Sequence, residues 1–214
     1  MMAWSMLLFT CDIARVLRPT PWLLVVVLII GPGTTVSMAE APANVKILIA
    51  YFSRTGNTAK MAQGVAEGVK AVPRATVEMK PVGQVTAQDL FSADAVIVGS
   101  PVYWSNMAGE VKTFFDDWQL KFGVFPDFKM RNKVGAAFAT GGQISSGKEV
   151  TLLTILAAML GNQMIVVGGG GAFGASATTE GDSPGIDKQE LAAANELGRR
   201  VAEITWMLKS GAMK

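Results

Sequence analysis

Ser53, Arg54, Thr55, Gly56, Asn57 and Thr58 put three hydroxyls, a guanidinium, a carboxamide and a glycine into six consecutive positions. An apolar strand pattern precedes them: Val45, Ile47, Leu48, Ile49, Ala50. After them Met61, Ala62, Val65, Ala66 and Val69 recur at helical spacing. A strand, a tight polar turn and a helix start together suit a phosphate. The first N–H groups of a helix are unpaired and stand at the positive end of its dipole. The hydroxyls add donors, and Gly56 lets the backbone come close. Arg54 is a further candidate, with solvent the alternative direction for its side chain. The alternative for the whole stretch is an ordinary turn in which Asn57 or Thr58 caps the helix.

Two further stretches carry chemistry. Pro101, Val102, Tyr103, Trp104, Ser105 and Asn106 lie in an aromatic-rich loop, Ser100 to Ala108. Their rings offer π surfaces to a flat ligand, and their backbone N–H groups over Val102 to Trp104 offer donors to its polar edge. The alternative is that Tyr103 and Trp104 cap the core. Thr140, Gly141, Gly142 and Gln143 open a polar, glycine-rich loop that ends at Gly147. Gly142 to Lys148 nearly spells the nucleotide-triphosphate loop, but Glu149 stands where a hydroxyl must hold magnesium, and a carboxylate there repels phosphate. Asp116 and Asp117 are adjacent on a helix, so they diverge and are no acid–base pair; they read as a solvated face near the rim of the site.

Composition removes other chemistries. None of the 214 residues is histidine, which excludes imidazole catalysis and histidine metal ligation. Cys11 is the only cysteine, so there is neither a disulfide framework nor a thiolate cluster, and no metal site is expected. Redox chemistry would have to come from a cofactor. A formal charge of +2 gives no electrostatic case for nucleic acid.

The elements that must position these loops follow from periodicity. Strands are expected at Val45–Ala50, Ala75–Lys80, Ala93–Val98, Val134–Ala139 and Met164–Val167. Helices are expected from Asn57, over Thr86–Phe91, Glu110–Trp118, Glu149–Leu160 and Lys188–Leu208, with a long loop from Gly168 to Gly185. Five buried strands alternating with helices mean a parallel sheet covered on both faces. Ligands bind such sheets at the carboxyl ends of the strands, where all three loops fall.

Arg15 and Arg18 precede an apolar run, Trp22 to Ile30, and Ser37, Met38, Ala39 follow. Residues 1–39 read as a signal peptide and residues 40–214 as the domain, giving an exported protein. The run spans only about 14 Å as a helix, short for a membrane anchor, so no integral span is expected in the mature form. The alternative is translation from Met38 and a cytoplasmic protein.

Ser53, Thr55, Gly56 and Thr58 resemble the flavodoxin phosphate loop. Gly99 to Gly109, with Lys112, Thr113, Phe114 and Asp116, resemble the second flavin loop of the flavodoxin-like NAD(P)H:quinone oxidoreductases of the WrbA type. Ala139 to Gln143 are similar to that family's third flavin loop, and Gly174, Ala175, Gly181 and Gln189 to Val201 to its C-terminal segment. The chain departs from the family at Thr55 (usually aromatic), at Tyr103 (usually arginine), in lacking a histidine near the flavin, and in a shorter third loop. A second departure in length is the shorter segment between the third helix and the fourth strand.

The resemblance implies an α/β flavodoxin-like three-layer sandwich with a five-stranded parallel sheet in the order 2-1-3-4-5. It implies FMN as cofactor, NAD(P)H as co-substrate, a quinone or similar small acceptor, and a homo-oligomer, dimer or tetramer. Ser53, Arg54, Thr55, Gly56, Asn57 and Thr58 would take the FMN phosphate. Pro101, Val102, Tyr103, Trp104, Ser105 and Asn106 would lie against the ring, and Thr140, Gly141, Gly142 and Gln143 would close its other edge. No catalytic residue is assigned, since hydride transfer through the flavin needs no protein acid or base. The rival is a flavodoxin-type electron carrier; a flavin-binding scaffold or sensor is a third reading. Without residues 1–39 the chain keeps 17 basic and 16 acidic residues, which gives no acidic docking face of the kind carriers use.

Overall fold

Alternating apolar residues in the first strand set up both faces of the molecule. In β1 (Val45–Tyr51), Val45, Ile47 and Ile49 face one side, and Leu48 and Ala50 the other; all five are buried. A computed structural model describes residues 44–179 and 185–211. The signal-peptide reading of residues 1–39, with Cys11, and the family match at Gly181 lie outside the described residues.

The sheet runs β2-β1-β3-β5-β6, all parallel, from β2 (Ala75–Pro81), β1, β3 (Ala95–Tyr103), β5 (Val134–Gly141) and β6 (Ile165–Val166). Register places Ile47 between Val77 and Ala95, and Ile97 between Ile49 and Ala136. α1 (Asn57–Lys70) and α5 (Lys188–Lys209) cover one face through Met61, Val65, Leu197 and Val201. α2 (Ala87–Ser92), α3 (Gly109–Leu120) and α4 (Lys148–Gly161) cover the other through Leu90, Phe114, Trp118, Ile155 and Met159. This is the expected flavodoxin-like three-layer sandwich.

Three expectations need correction. The third strand does not stop at Val98: it runs on to Tyr103 and pairs antiparallel with a two-residue strand, β4 (Asn106–Met107). The expected loop from Ser100 to Ala108 is therefore mostly a hairpin. The fifth sheet position is also divided. β6 pairs only with Val134 and Gly135, and β7 (Ala175–Thr178) takes the same flank of β5 further along, at Phe138 to Gly141. Finally, the glycine run that opens the expected long loop packs against α5. A Cβ on Gly170 (φ +67°) would lie 2.1 Å from the Ala193 carbonyl oxygen, and Arg200 Nε donates to the Gly168 carbonyl at 2.9 Å.

Residues with small side chains set the spacing of α1 and α5. A Cβ on Gly68 would fall 1.9 Å from the Asn195 carbonyl oxygen, and one on Gly198 would fall 2.0 Å from that of Val65. The two helix backbones meet where neither residue has a side chain.

α2 is short and depends on its cap. The Thr86 hydroxyl accepts from Asp89 N–H at 3.3 Å, and the Asp89 carboxylate accepts from Thr86 N–H at 2.8 Å and from Lys80 Nζ at 2.8 Å. Burial alone would push the Asp89 carboxyl up. The bonds from Lys80, the Thr86 N–H and the Thr86 hydroxyl outweigh it and bring the pKa down to about 2. Its value unfolded is near 3.9. The contribution is thus complete above about pH 4 and is lost as pH falls from about 4 towards 2. Asp89→Asn should cost about 1 kcal/mol at neutral pH and less in acid. Urea melts of the two proteins at pH 7 and pH 3 check this; an equal gap at both values would contradict it.

Candidate active site: a cleft at the carboxyl edge of the sheet

β1 ends in Phe52 to Gly56, and α1 starts at Asn57 with Gly56 as its N-cap in the left-handed region, φ 91°. The N-cap glycine has no side chain to cap this helix, and neither Asn57 nor Thr58 caps it; Ser53, from the preceding loop, does. Ser53 Oγ accepts the Ala59 N–H at 3.2 Å, and Asn57 Nδ2 donates to Thr55 Oγ1 at 3.3 Å. Thr58 is buried and shares a hydrogen bond of 2.8 Å with Thr140 at the end of β5. The first and third loops are therefore pinned together beneath one surface.

That surface is a cleft of about 540 Å³. Arg54, Thr55, Asn57 and Thr58 line it from the first loop, Pro101 to Ser105 from the second, and Thr140, Gly142 and Gln143 from the third. Among the described residues Arg54 is the only charged one in this lining, and it is exposed as well, so cleft and solvent are not alternatives for it.

Four candidates do not line the cleft. Ser53 serves it indirectly, through the start of α1. Gly56 supplies the turn. Gly141 supplies close approach: a Cβ there would lie 2.1 Å from Ser146 Oγ and 2.9 Å from Lys148 Cγ. Asn106 turns away. Its Oδ1 accepts from Met107 N–H and from Thr154 Oγ1, both at 2.8 Å, which ties the hairpin to α4. Asp116 and Asp117 do not line the cleft either. They pair with Lys112 at 2.6 Å and Lys121 at 2.9 Å, outside this lining.

The second loop is tighter than its sequence suggests. Trp104 (φ 49°) and Ser105 (φ 61°) are both left-handed, between Tyr103 and Asn106, which pair. This is a two-residue hairpin of the type that normally takes Asn-Gly. Two non-glycine residues there cost about 1 kcal/mol or more each. The turn holds the Trp104 side chain fully in solvent, 101% exposed, so it does not cap the core. Tyr103 stands edge-on to Phe52 at 6.4 Å. Of the stretch expected to offer N–H donors, Val102 and Tyr103 lie in the hairpin opposite Met107 and Asn106, and Trp104 lies in its turn.

Ser145, Ser146 and Thr179 also line the cleft and were not among the expected residues. Ser145 and Ser146 lie in the same polar loop just past Gln143. Thr179 follows β7, in the stretch that read as loop; its N–H donates to the Gly141 carbonyl at 2.9 Å. Ser146 Oγ is buried and has no hydrogen-bond partner.

These features fit FMN. A helix start with hydroxyls beside it suits a phosphate. An exposed indole next to a half-exposed phenol suits a flat ring. An unpartnered buried hydroxyl suits a ligand's polar edge. The volume falls within the range of small-molecule sites, about 300–1,000 Å³. Among the described residues no group of three acidic or thiol side chains is placed to hold a metal ion.

Sheet order, helices on both faces and three loops around one cleft define a flavodoxin-like protein. Comparison with known proteins makes this specific. The NADPH-dependent FMN reductase family model matches residues 70–179. A flavodoxin of Clostridium saccharobutylicum is 33% identical over 159 residues, covering 73% of this chain and 95% of that one. An NAD(P)H dehydrogenase (quinone) of Geotalea daltonii is 31% identical over 204 residues, covering 76% and 98%. Among solved structures, a WrbA-like flavodoxin protein from Agrobacterium tumefaciens superposes with a TM-score of 0.63 at 23% identity, over 76% of this chain and 98% of that one. The chain belongs to the NADPH-dependent FMN reductase family and has the flavodoxin-like fold. The cofactor of this family is FMN and the electron donor NAD(P)H.

Proposed function

We propose that the protein is an FMN-dependent NAD(P)H:quinone oxidoreductase that reduces quinones by two electrons at a time. The observation that carries this reading is the fully exposed Trp104, held over a cleft whose other wall is the start of α1. When bound, FMN supplies reversible acceptance and release of a hydride equivalent. The chain does the rest. Thr55, Asn57 and Thr58, with the first N–H groups of α1 and the Arg54 charge, hold the phosphate. Tyr103 and Trp104 shield one side of the ring, and Gln143, Ser145 and Ser146 offer polar groups to its edge. The cleft stays open enough for donor and acceptor to enter in turn. No histidine is present to move protons, and the reading requires none.

The second reading is an electron carrier, favoured by the flavodoxin that is as similar as the quinone dehydrogenase. The near balance of 17 basic and 16 acidic residues beyond position 39 speaks for the enzyme. Initial rates separate the two. FMN-loaded protein should oxidise NADH or NADPH in the presence of benzoquinone, with parallel double-reciprocal lines for alternating substrates. Absence of turnover with either nucleotide sinks the enzyme reading. We further propose that residues 1–39 are a cleaved export signal; the mass of the mature N-terminus tests it, and a product beginning at Met38 would refute it. No helix among the described residues is long and apolar enough to cross a membrane.

A further inference from the structure

Lys148 is the only charged side chain among the buried described residues, 6% exposed. It is the lysine of the near-miss triphosphate motif, and here it is turned inward. Its position is unfavourable on three counts. It is buried, which is costly for a charge. It is the first residue of α4, at the positive end of the helix dipole, where a cation is disfavoured. It forms no ion pair with any carboxylate among the described residues. Glu190, which reaches the neighbouring strand, accepts from the backbone N–H groups of Thr178 at 2.7 Å and Asp187 at 3.1 Å instead.

What Lys148 does touch is the wall of the cleft. Its Nζ donates to the Gln143 carbonyl at 3.5 Å and to Thr178 Oγ1. Gln143 lines the cleft, and Thr178 immediately precedes Thr179, which also lines it. Its aliphatic stem lies under Gly141, where a Cβ would meet it at 2.9 Å. An ammonium, with a helix start behind it, is therefore fixed just behind the third loop. A buried positive centre with no counter-charge among the described residues fits a site whose ligand becomes more negative.

We propose that Lys148 is a positioning residue that sets the reduction potential of bound FMN, an inference that rests on the cofactor reading above. Hydride uptake from NAD(P)H brings two electrons and one proton to the ring. The ring gains one negative charge, and the nicotinamide leaves as its oxidised cation. A positive charge behind the third loop favours the reduced form, so reduction comes at a higher potential.

The test measures the affinity of the full chain for oxidised and for reduced FMN, and the two-electron midpoint potential, in wild type, Lys148→Met and Lys148→Arg. Lys148→Met should weaken reduced FMN about tenfold more than oxidised FMN, which lowers the midpoint by about 30 mV. Lys148→Arg should restore most of the difference. Loss of packing alone would weaken both forms equally and leave the potential unchanged. Should Lys148→Met fail to fold by circular dichroism, Lys148→Gln is the second neutral variant. An unchanged potential in the neutral variant, or the same shift in the arginine variant, overturns the inference. Wild-type protein that takes up no FMN overturns the cofactor reading itself, and the inference with it.

Discussion

Trp104→Ala should raise the dissociation constant for FMN by about tenfold to a hundredfold, the range that stacking of one aromatic on a flat heterocycle supplies. The effect should be confined to binding. Trp104 is fully exposed, so its truncation removes nothing from either core and leaves the melting temperature of the ligand-free protein in place. Trp104→Phe should keep most of the affinity, because a smaller π face remains at the same left-handed position. Quenching of flavin fluorescence measures all three proteins. Equal affinity in wild type and Trp104→Ala would mean that the strained hairpin displays its indole to something else.

Gly198→Ala should destabilise the fold by about 3 kcal/mol. The added methyl would lie 2.0 Å from the Val65 carbonyl oxygen, 2.9 Å from its carbon and 3.1 Å from Val69 N, and none of these is the end of a flexible side chain. Helix propensity favours alanine over glycine by about 1 kcal/mol, and the clash outweighs it. The melting temperature should fall by about 6–12 °C for a domain of this size. Gly83→Ala is the control: nothing lies within 4 Å of its Cβ position, and it should be near neutral. Thermal melts followed by circular dichroism decide. A Gly198→Ala protein as stable as wild type would mean that α1 and α5 can part without loss.

The sheet was legible in the sequence because its strands announce themselves by burial: the run from Val45 to Ala50 has no reading except a strand covered on both faces. The gathering of three loops followed from that topology, since all of them leave the same edge. Other features depend on contacts between segments far apart in the chain. β7 is Ala-Ser-Ala-Thr, four small residues after a glycine run, and only its register with β5 makes it a strand. The hairpin at Trp104 and Ser105 carries none of the turn residues that signal one. Asn106 looked like a ligand group because it follows the aromatic pair; Thr154, 48 positions away, draws it to α4 instead. Lys148 read as part of a failed phosphate motif. Its burial and its bond to Thr178 come from tertiary structure alone.

The most direct test of the cleft is calorimetric titration of the full chain, freed of flavin, with FMN and with riboflavin, which has the same ring without the phosphate. The start of α1 and Arg54 should make FMN bind at least about a hundredfold more tightly than riboflavin. Equal binding of the two, or no heat with either, would contradict a phosphate seat at Ser53 to Thr58 and a ring seat at Tyr103 and Trp104.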